Sequence, residues 1–230
     1  TIYYPLSTLM WAGVNEILLI TNPENLDTYK NLLGNGSQWG ISIDYEVQYE
    51  PKGIAQAFLI GEKFIDGQNS VLILGDNLFF GNNLKELFNK ASSRENGATI
   101  FTYHVKDPSS YGVPSFDKNG EIISIEEKPA IPKTNYAVTG IYFFDPKVVG
   151  IAKKILPSIR GELEITDINK IYINRNKMHV ERLGRGNAWF DVGTFKTLLE
   201  AGEYVNSLEH RQGLKIACPE EIAYKLNLIN

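Results

Sequence analysis

One cysteine, Cys218, stands in a chain of 230 residues, so no internal disulfide can form and the fold must rest on its core. Cys218 reads as a small buried apolar residue, and the cytoplasm is the compartment that such cysteine usage suggests. Basic residues number 23 against 27 acidic ones, giving a formal net charge of −4, and they never gather into a long run. That excludes a nucleic-acid backbone as the main partner, because such a partner needs a concentrated positive face. It leaves room for a small anion, which two or three placed cations can hold. Nothing approaches the ~20 consecutive apolar residues that cross a bilayer. The opening Thr1-Ile2-Tyr3-Tyr4-Pro5 lacks the basic and then apolar pattern of a signal peptide. The histidines, His104, His179 and His210, match no zinc spacing. No Gly-x-Ser-x-Gly element supplies a hydrolase nucleophile. The loose glycines Gly34, Gly36 and Gly40 follow a helix and read as turns, not as a dinucleotide fingerprint.

What is present is an ordinary globular composition, 43% apolar and 22% charged, enough for one α/β domain spanning 1–230. Glu16 to Thr21, Ile43 to Gln48, Val71 to Leu74 and Ala98 to Val105 read as strands. Asn25 to Leu33, Ile54 to Phe64 and Leu84 to Ala91 read as helices. This alternation predicts a Rossmann-like, mixed but mainly parallel sheet covered by helices on both faces. The rhythm then changes. Gly112 to Phe116 and Ile122 to Glu126 flank the turn Asp117-Lys118-Asn119-Gly120, and Gly140 to Phe144 follows, suggesting an antiparallel extension. Later come helices near Pro146 to Ile155 and after Thr166, a strand around His179 to Leu183, and a helix at Phe195 to Ala201.

Four short constellations can carry chemistry. Leu74-Gly75-Asp76-Asn77 closes the most apolar strand, where open α/β sheets bind ligands. Gly75 leaves space there, and Asp76 offers a hard oxygen to magnesium, which takes one or two protein carboxylates and fills its octahedron with water and phosphate oxygens. Read blandly, Asp76 only caps a turn. Ala188-Trp189-Phe190-Asp191-Val192-Gly193-Thr194 sets a carboxylate among apolar residues, a costly placement unless an ion neutralises it. Its bland reading is a helix N-cap, a role Thr194 fills equally well. Glu126-Glu127-Lys128-Pro129 ends a strand, and Pro129 is expected to keep Lys128 extended and held out toward a phosphate. Otherwise it is a solvated strand end. Arg160-Gly161-Glu162-Leu163-Glu164-Ile165-Thr166-Asp167 offers an arginine for a two-pronged phosphate grip, or else a loop leading to a helix capped by Thr166.

In this order, and together with Tyr3-Tyr4-Pro5-Leu6-Ser7-Thr8-Leu9-Met10, Gly36-Ser37-Gln38-Trp39-Gly40, Gly53-Ile54-Ala55-Gln56-Ala57-Phe58, Tyr111-Gly112-Val113, Asn135-Tyr136-Ala137-Val138-Thr139-Gly140 and Gly184-Arg185-Gly186, these segments resemble the glucose-1-phosphate thymidylyltransferases. These are sugar-nucleotide pyrophosphorylases of the nucleotidyltransferase family. The resemblance implies a magnesium-dependent reaction in which dTTP and glucose 1-phosphate give dTDP-glucose and pyrophosphate, serving deoxysugar (dTDP-rhamnose-type) synthesis. It implies metal ligation by Asp76 and Asp191, and thymine reading at Gln48 and Gly53. Sugar contacts fall at Tyr111, Gly112, Glu127 and Val138, with Trp189 among the substrate-binding residues. Phosphate contacts fall at Lys128 and Arg160, which join the two aspartates as the catalytic set.

The family is usually a homotetramer with feedback through a second nucleotide site, in whose neighbourhood the resemblance places Arg185. A relative preferring UTP or another hexose 1-phosphate, or a non-catalytic sugar-nucleotide-binding subunit, are the alternatives. The family's first strand, its glycine-rich loop with a Thr-Arg pair, a following catalytic lysine and its last helices have no counterpart here. The expectation is a piece of a longer protein, with apolar faces left uncovered where that strand would lie.

Overall fold

The computed structural model describes residues 1–230. Helix α1 (Tyr3–Trp11) leads to strand β1 (Glu16–Thr21), helix α2 (Leu26–Leu33) and strand β2 (Ser42–Val47). Helices α3 (Ala57–Ile60) and α4 (Glu62–Ile65) precede β3 (Ser70–Ile73), β4 (Asn77–Gly81), α5 (Leu84–Ser92) and β5 (Ala98–His104). The hairpin β6 (Gly112–Phe116) and β7 (Ile122–Glu127) is followed by β8 (Tyr136–Phe144), α6 (Val148–Ala152) and α7 (Ile165–Asn174). The chain closes with β9 (Met178–Leu183), β10 (Asn187–Asp191), α8 (Phe195–Gln212) and α9 (Pro219–Lys225).

The architecture is mixed α/β, as the sequence predicts. A four-stranded sheet runs in the order β3-β8-β5-β9, and β1 pairs with β2 in parallel. β5 and β9 are parallel, whereas β8 runs antiparallel to both β3 and β5. The segment Gly140 to Phe144 therefore belongs to the central sheet rather than only to the extension. Its continuous burial explains the long apolar run, since a central strand covered on both faces has no polar side to show.

Successive residues of these strands point to opposite faces. Ile100, Tyr142 and Phe144 meet Phe58 of α3, Val148 and Ile151 of α6 and Tyr172 of α7 on one face. Phe101, Ile141 and Phe143 meet Phe88 of α5, Phe79 and Trp189 on the other. A third cluster joins β1 and β2 to α1 and α9 through Leu9, Met10, Leu33, Ile43 and Ile222.

Between β1 and β3 the sheet is interrupted, with no ladder joining the two strands. A cleft of about 170 Å³ lies there, lined by Ile17, Leu19, Ile20, Ile73, Leu9 and Leu33.

Several local expectations shift. The helix expected over Ile54 to Phe64 breaks at Gly61, and the one near Pro146 shortens to α6. The last long helix, α8, extends well past Ala201 to Gln212. Cys218 is half-buried, its thiol 3.3 Å from a Glu220 carboxylate oxygen, not sealed in the core. No helix is long and apolar enough to cross a membrane.

Two buried acids are fully occupied by structural work. Asp145 accepts from the Tyr172 hydroxyl at 2.6 Å and from the Gly97 amide at 2.8 Å. Glu181, with its side chain 7% exposed, accepts from Arg94, 22% exposed, and from Lys90. Burial alone would raise the Glu181 carboxyl, but the bonds from Arg94 and Lys90 outweigh it and hold it below its ordinary value. A carboxylate lowered on folding contributes stability that is complete above its unfolded value and is lost as pH falls through the folded one. Arg94→Ala is expected to cost about 2–3 kcal/mol in urea unfolding at neutral pH, because it leaves the buried Glu181 carboxylate with only the exposed Lys90 as its partner. The difference from wild type should shrink below roughly pH 4 as Glu181 protonates. An equal cost at pH 7 and pH 3 would show that Arg94 acts through packing alone.

Candidate active site

The site lies at the carboxyl ends of β3 and β7 and at the start of β8. β4 turns back from β3 and pairs antiparallel with β10, so that Asp191 stands opposite Asn77 in register. The Val192 amide donates to the Asp76 carbonyl at 2.9 Å, which brings two distant acidic positions side by side. A β-carbon added to Gly193 would lie 3.2 Å from Asp191 Oδ1 and 3.5 Å from Asp76 Oδ2, so both carboxylates aim at one small open point.

Burial, reinforced by the charge of Asp76, pushes the Asp191 carboxyl above the usual carboxylate range, while the Gly193 amide and Lys128 pull the other way. Neither aspartate is a helix cap. Thr194 caps α8, its side chain and that of Thr197 exchanging bonds with each other's backbone amides. Two half-buried oxygens converging on a gap that only a glycine leaves open suit a hard divalent cation such as magnesium.

Beside this pair, Tyr111 is half-buried, and its phenol is raised by burial and by Asp191, Asp76 and Asp107. Its ring meets Trp189 edge-on at 5.1 Å. Trp189 is 7% exposed, and its indole N–H donates to Asn77 Oδ1 at 2.6 Å. It is a wall of the site, not a group free to reach out.

The Tyr111 carbonyl accepts from the Lys128 amide at 3.0 Å, which carries the hairpin ladder one residue past Glu127. Lys128 is not extended, as Pro129 leads one to expect. Its φ is 44°, in the left-handed region. The bond to Tyr111 fixes the backbone of Lys128 against its preference, and the side chain stays exposed beside the carboxylate pair. Such strain costs about 1–3 kcal/mol and gathers at functional positions.

Glu127 stands opposite Gly112 in β6 and accepts a bond from the Thr166 hydroxyl. Thr166 therefore serves the site and does not cap α7, whose N-cap is Glu164. Arg160 lies 3.6 Å from Glu127 and 3.5 Å from Glu162, and both Glu164 oxygens accept from its Nη2 at 2.9 Å. These carboxylates, Glu164 first, raise the guanidinium still further, so it is always charged. Its protein bonds run through Nε and Nη2, leaving Nη1 for a phosphate.

Gln48 and Gly53 lie at the rim. Gln48 donates to Gln56 Oε1 at 2.8 Å, which fixes its amide. Gly53, at φ 99°, passes so close to Leu163 that an added β-carbon would sit 2.5 Å from that carbonyl. This couples the rim to the Arg160 loop. The Val138 side chain belongs to the core cluster under the sheet, so only its backbone can face a ligand.

A profile of the Nucleotidyl transferase family matches residues 1–207. The chain belongs to that family. A glucose-1-phosphate thymidylyltransferase from Xanthomonas campestris pv. campestris (strain B100) is 51% identical over 97% of this chain and 76% of its own length. The enzyme of that name from Neisseria meningitidis serogroup A is 50% identical over 97% of this chain and 78% of itself. Among solved nucleotidyl transferase relatives, a Bacillus anthracis chain assigned as a glucose-1-phosphate thymidylyltransferase, crystallised with sucrose, superposes with a TM-score of 0.81 at 37% identity. The match covers 88% of this chain and 81% of that one. A UDP-glucose pyrophosphorylase solved with UDP-glucose shares the fold, with a TM-score of 0.77 at 23% identity over 90% of this chain and 86% of that one.

The structure thus gathers Asp76, Asp191, Tyr111, Lys128 and Trp189 into one group, with Gly112, Glu127 and Arg160 adjoining it. The supporting groups that sequence reading overlooked are Asn77, Glu164, Thr166 and Gly193. Each lay inside a motif already singled out, but its partner lies on another element.

The strained backbone of Lys128 gives a direct test. Lys128→Gly is expected to raise stability by about 0.5–1 kcal/mol in urea unfolding, since glycine adopts positive φ freely. A loss of stability would mean that the left-handed turn is held by the lysine side chain itself.

Proposed function

We infer that the chain transfers a thymidylyl group from dTTP to glucose 1-phosphate, releasing pyrophosphate and giving dTDP-glucose. What carries this reading is the convergence of two carboxylates on one open point, flanked by a free lysine and an arginine with an unpaired edge. That set suits phosphate chemistry, and names of relatives about half identical in sequence agree with it.

Asp76 and Asp191 would hold magnesium, which supplies charge neutralisation on the nucleotide phosphates. Lys128 and Arg160 hold the phosphate of the hexose, Lys128 as a point charge and Arg160 through Nη1 in a direction fixed by Glu164. An oxygen of that phosphate attacks the α-phosphorus in line, forming the new P–O bond as the bond to pyrophosphate breaks. No covalent enzyme intermediate is needed, so positioning and charge account for the acceleration.

Glu127, kept in place by Thr166, accepts hydrogen bonds from sugar hydroxyls, and Tyr111 with Trp189 supplies the apolar wall behind the ring. Gln48 and the glycine backbone at Gly53 face the thymine edge.

The decisive assay is pyrophosphate release with glucose 1-phosphate, magnesium and each nucleoside triphosphate in turn. Fastest release with dTTP is expected, and a preference for UTP would move the chain to a sister specificity. Asp191→Asn should lower turnover by at least about 10²-fold, the range seen when a transition-state charge partner is removed. It should also raise the thermal midpoint of the metal-free protein, because it removes a charge that burial first and Asp76 second both disfavour. Normal turnover in this variant would refute the metal assignment.

A further inference from the structure

The β6–β7 hairpin pairs with no other strand. At its near end Gly112 stands opposite Glu127, one residue before Lys128, so part of the site is carried on this arm. At its far end lies the turn Asp117 to Gly120, with Phe116 opposite Ile122. A two-stranded ribbon is marginal by itself and must be fastened to keep its place. Val113 and Ile125, each 2% exposed, fasten the near half by burial. Ile123, toward the tip, is 58% exposed and fastens nothing on its side.

Arg182 meets the far half. It lies on β9, the edge strand of the central sheet, in register with Thr102 of β5. Its guanidinium carbon is 4.4 Å from the centre of the Phe116 ring and 5.5 Å from that of Tyr136, which opens β8. The two rings stand edge-on to one another at 6.0 Å. Nη2 also donates to the Gly120 carbonyl in the turn, a long bond of 3.4 Å. None of these partners is a carboxylate, so the arginine is not placed there to balance a charge. A planar guanidinium can lie on aromatic faces while its edge donates, which an ammonium cannot do.

We propose that Arg182 is a positioning residue that pins the tip of the hairpin to the edge of the central sheet and thereby sets Glu127 and Lys128 at the other end. Phe116 lies roughly 13 Å along β6 from Gly112, at the usual strand rise. Arg182 therefore does not reach substrate and is not catalytic. Freed at the tip, the ribbon swings about its buried half, working against the Thr166 bond that holds Glu127. Asp76 and Asp191 are fixed by the β4–β10 ladder, outside this arm, and do not swing with it. The proposal rests on the thymidylyltransferase reading for what Glu127 and Lys128 bind, but not for the pinning itself.

The test compares Arg182→Ala, Arg182→Met and Arg182→Lys with wild type on the full chain. Arg182 is exposed, so all three variants should fold. Two kinds of readout are taken. Hydrogen exchange follows the amides of residues 112–127 against those of β5 and β8, and kinetics give kcat and the KM values for glucose 1-phosphate and dTTP.

Arg182→Ala is expected to speed exchange in the hairpin about fivefold, the worth of a cation–π contact at an exposed site, and to leave β5 and β8 unchanged. KM for glucose 1-phosphate should rise about five- to tenfold, with kcat and the KM for dTTP within about twofold of wild type. Arg182→Met keeps the apolar stem and drops the charge, and it should match the alanine variant. Arg182→Lys retains a cation over the rings and should recover to within about threefold of the wild-type KM.

Unaltered hairpin exchange in Arg182→Ala would overturn the proposal, as would faster exchange with an unmoved KM for glucose 1-phosphate. An equal rise in both KM values would overturn it too, because that is what general loosening produces. Wild-type behaviour of Arg182→Met would assign the contact to packing and not to the guanidinium. A wild-type chain that turns over no triphosphate would defeat the functional reading instead, leaving the exchange measurements to judge the pinning by themselves.

Discussion

Two carboxylates that repel one another are held side by side in a half-buried place, and much of the surrounding structure serves that constraint. Left to itself, the chain would let Asp76 and Asp191 part. The β4–β10 ladder prevents it, because Asp191 is locked opposite Asn77 and the Val192 amide is bonded to the Asp76 carbonyl. Gly193 then keeps the space between the carboxylate oxygens open. Folding thus works against local electrostatics here, and a bound cation would turn the same arrangement from unfavourable to favourable. Perturbed carboxyls with a specific charge neighbour are a mark of functional sites, and Asp191 is the only acid of this kind in the chain whose value is pushed up.

The cationic half is organised by the opposite logic. Arg160 sits among Glu127, Glu162 and Glu164 and so has a fixed direction before any phosphate arrives. An arginine free in solvent would have to surrender side-chain freedom on binding, a cost already met in the folded protein. Lys128, by contrast, has its backbone fixed by the Tyr111 carbonyl and its side chain left free.

Much of this was legible in the sequence where the signal is local. Apolar runs marked β3, β5 and β8. Asp117 to Gly120 marked the hairpin, in which Asp117 accepts from the Asn119 and Glu121 amides. A carboxylate at the end of a strand, or among aromatic residues, was a sound pointer to Asp76 and Asp191, because burying charge demands a reason. What was not legible depends on tertiary register. No pattern near Asn77 announces Trp189 and Gly140 as its partners, and nothing near Thr166 announces Glu127. The local rule failed in an instructive way at Lys128, where a proline predicts extended backbone and a bond across the hairpin end imposes a left-handed one. The break at Gly61 and the antiparallel entry of β8 likewise come from neighbours distant in sequence.

The interruption between β1 and β3 has a mechanical meaning. Sheets usually transmit force through their hydrogen-bond ladders, yet in this chain the β1–β2 ribbon meets α1, α9 and β3 by side-chain packing, with no ladder to β3. Dispersion contacts resist separation but tolerate sliding far better than directional bonds do. In the 230-residue chain the ribbon's amides are therefore expected to exchange with solvent sooner than those of β5 and β8. Gln48, which follows directly on β2, is carried with the ribbon, whereas Asp76 and Asp191 are held by the β4–β10 ladder.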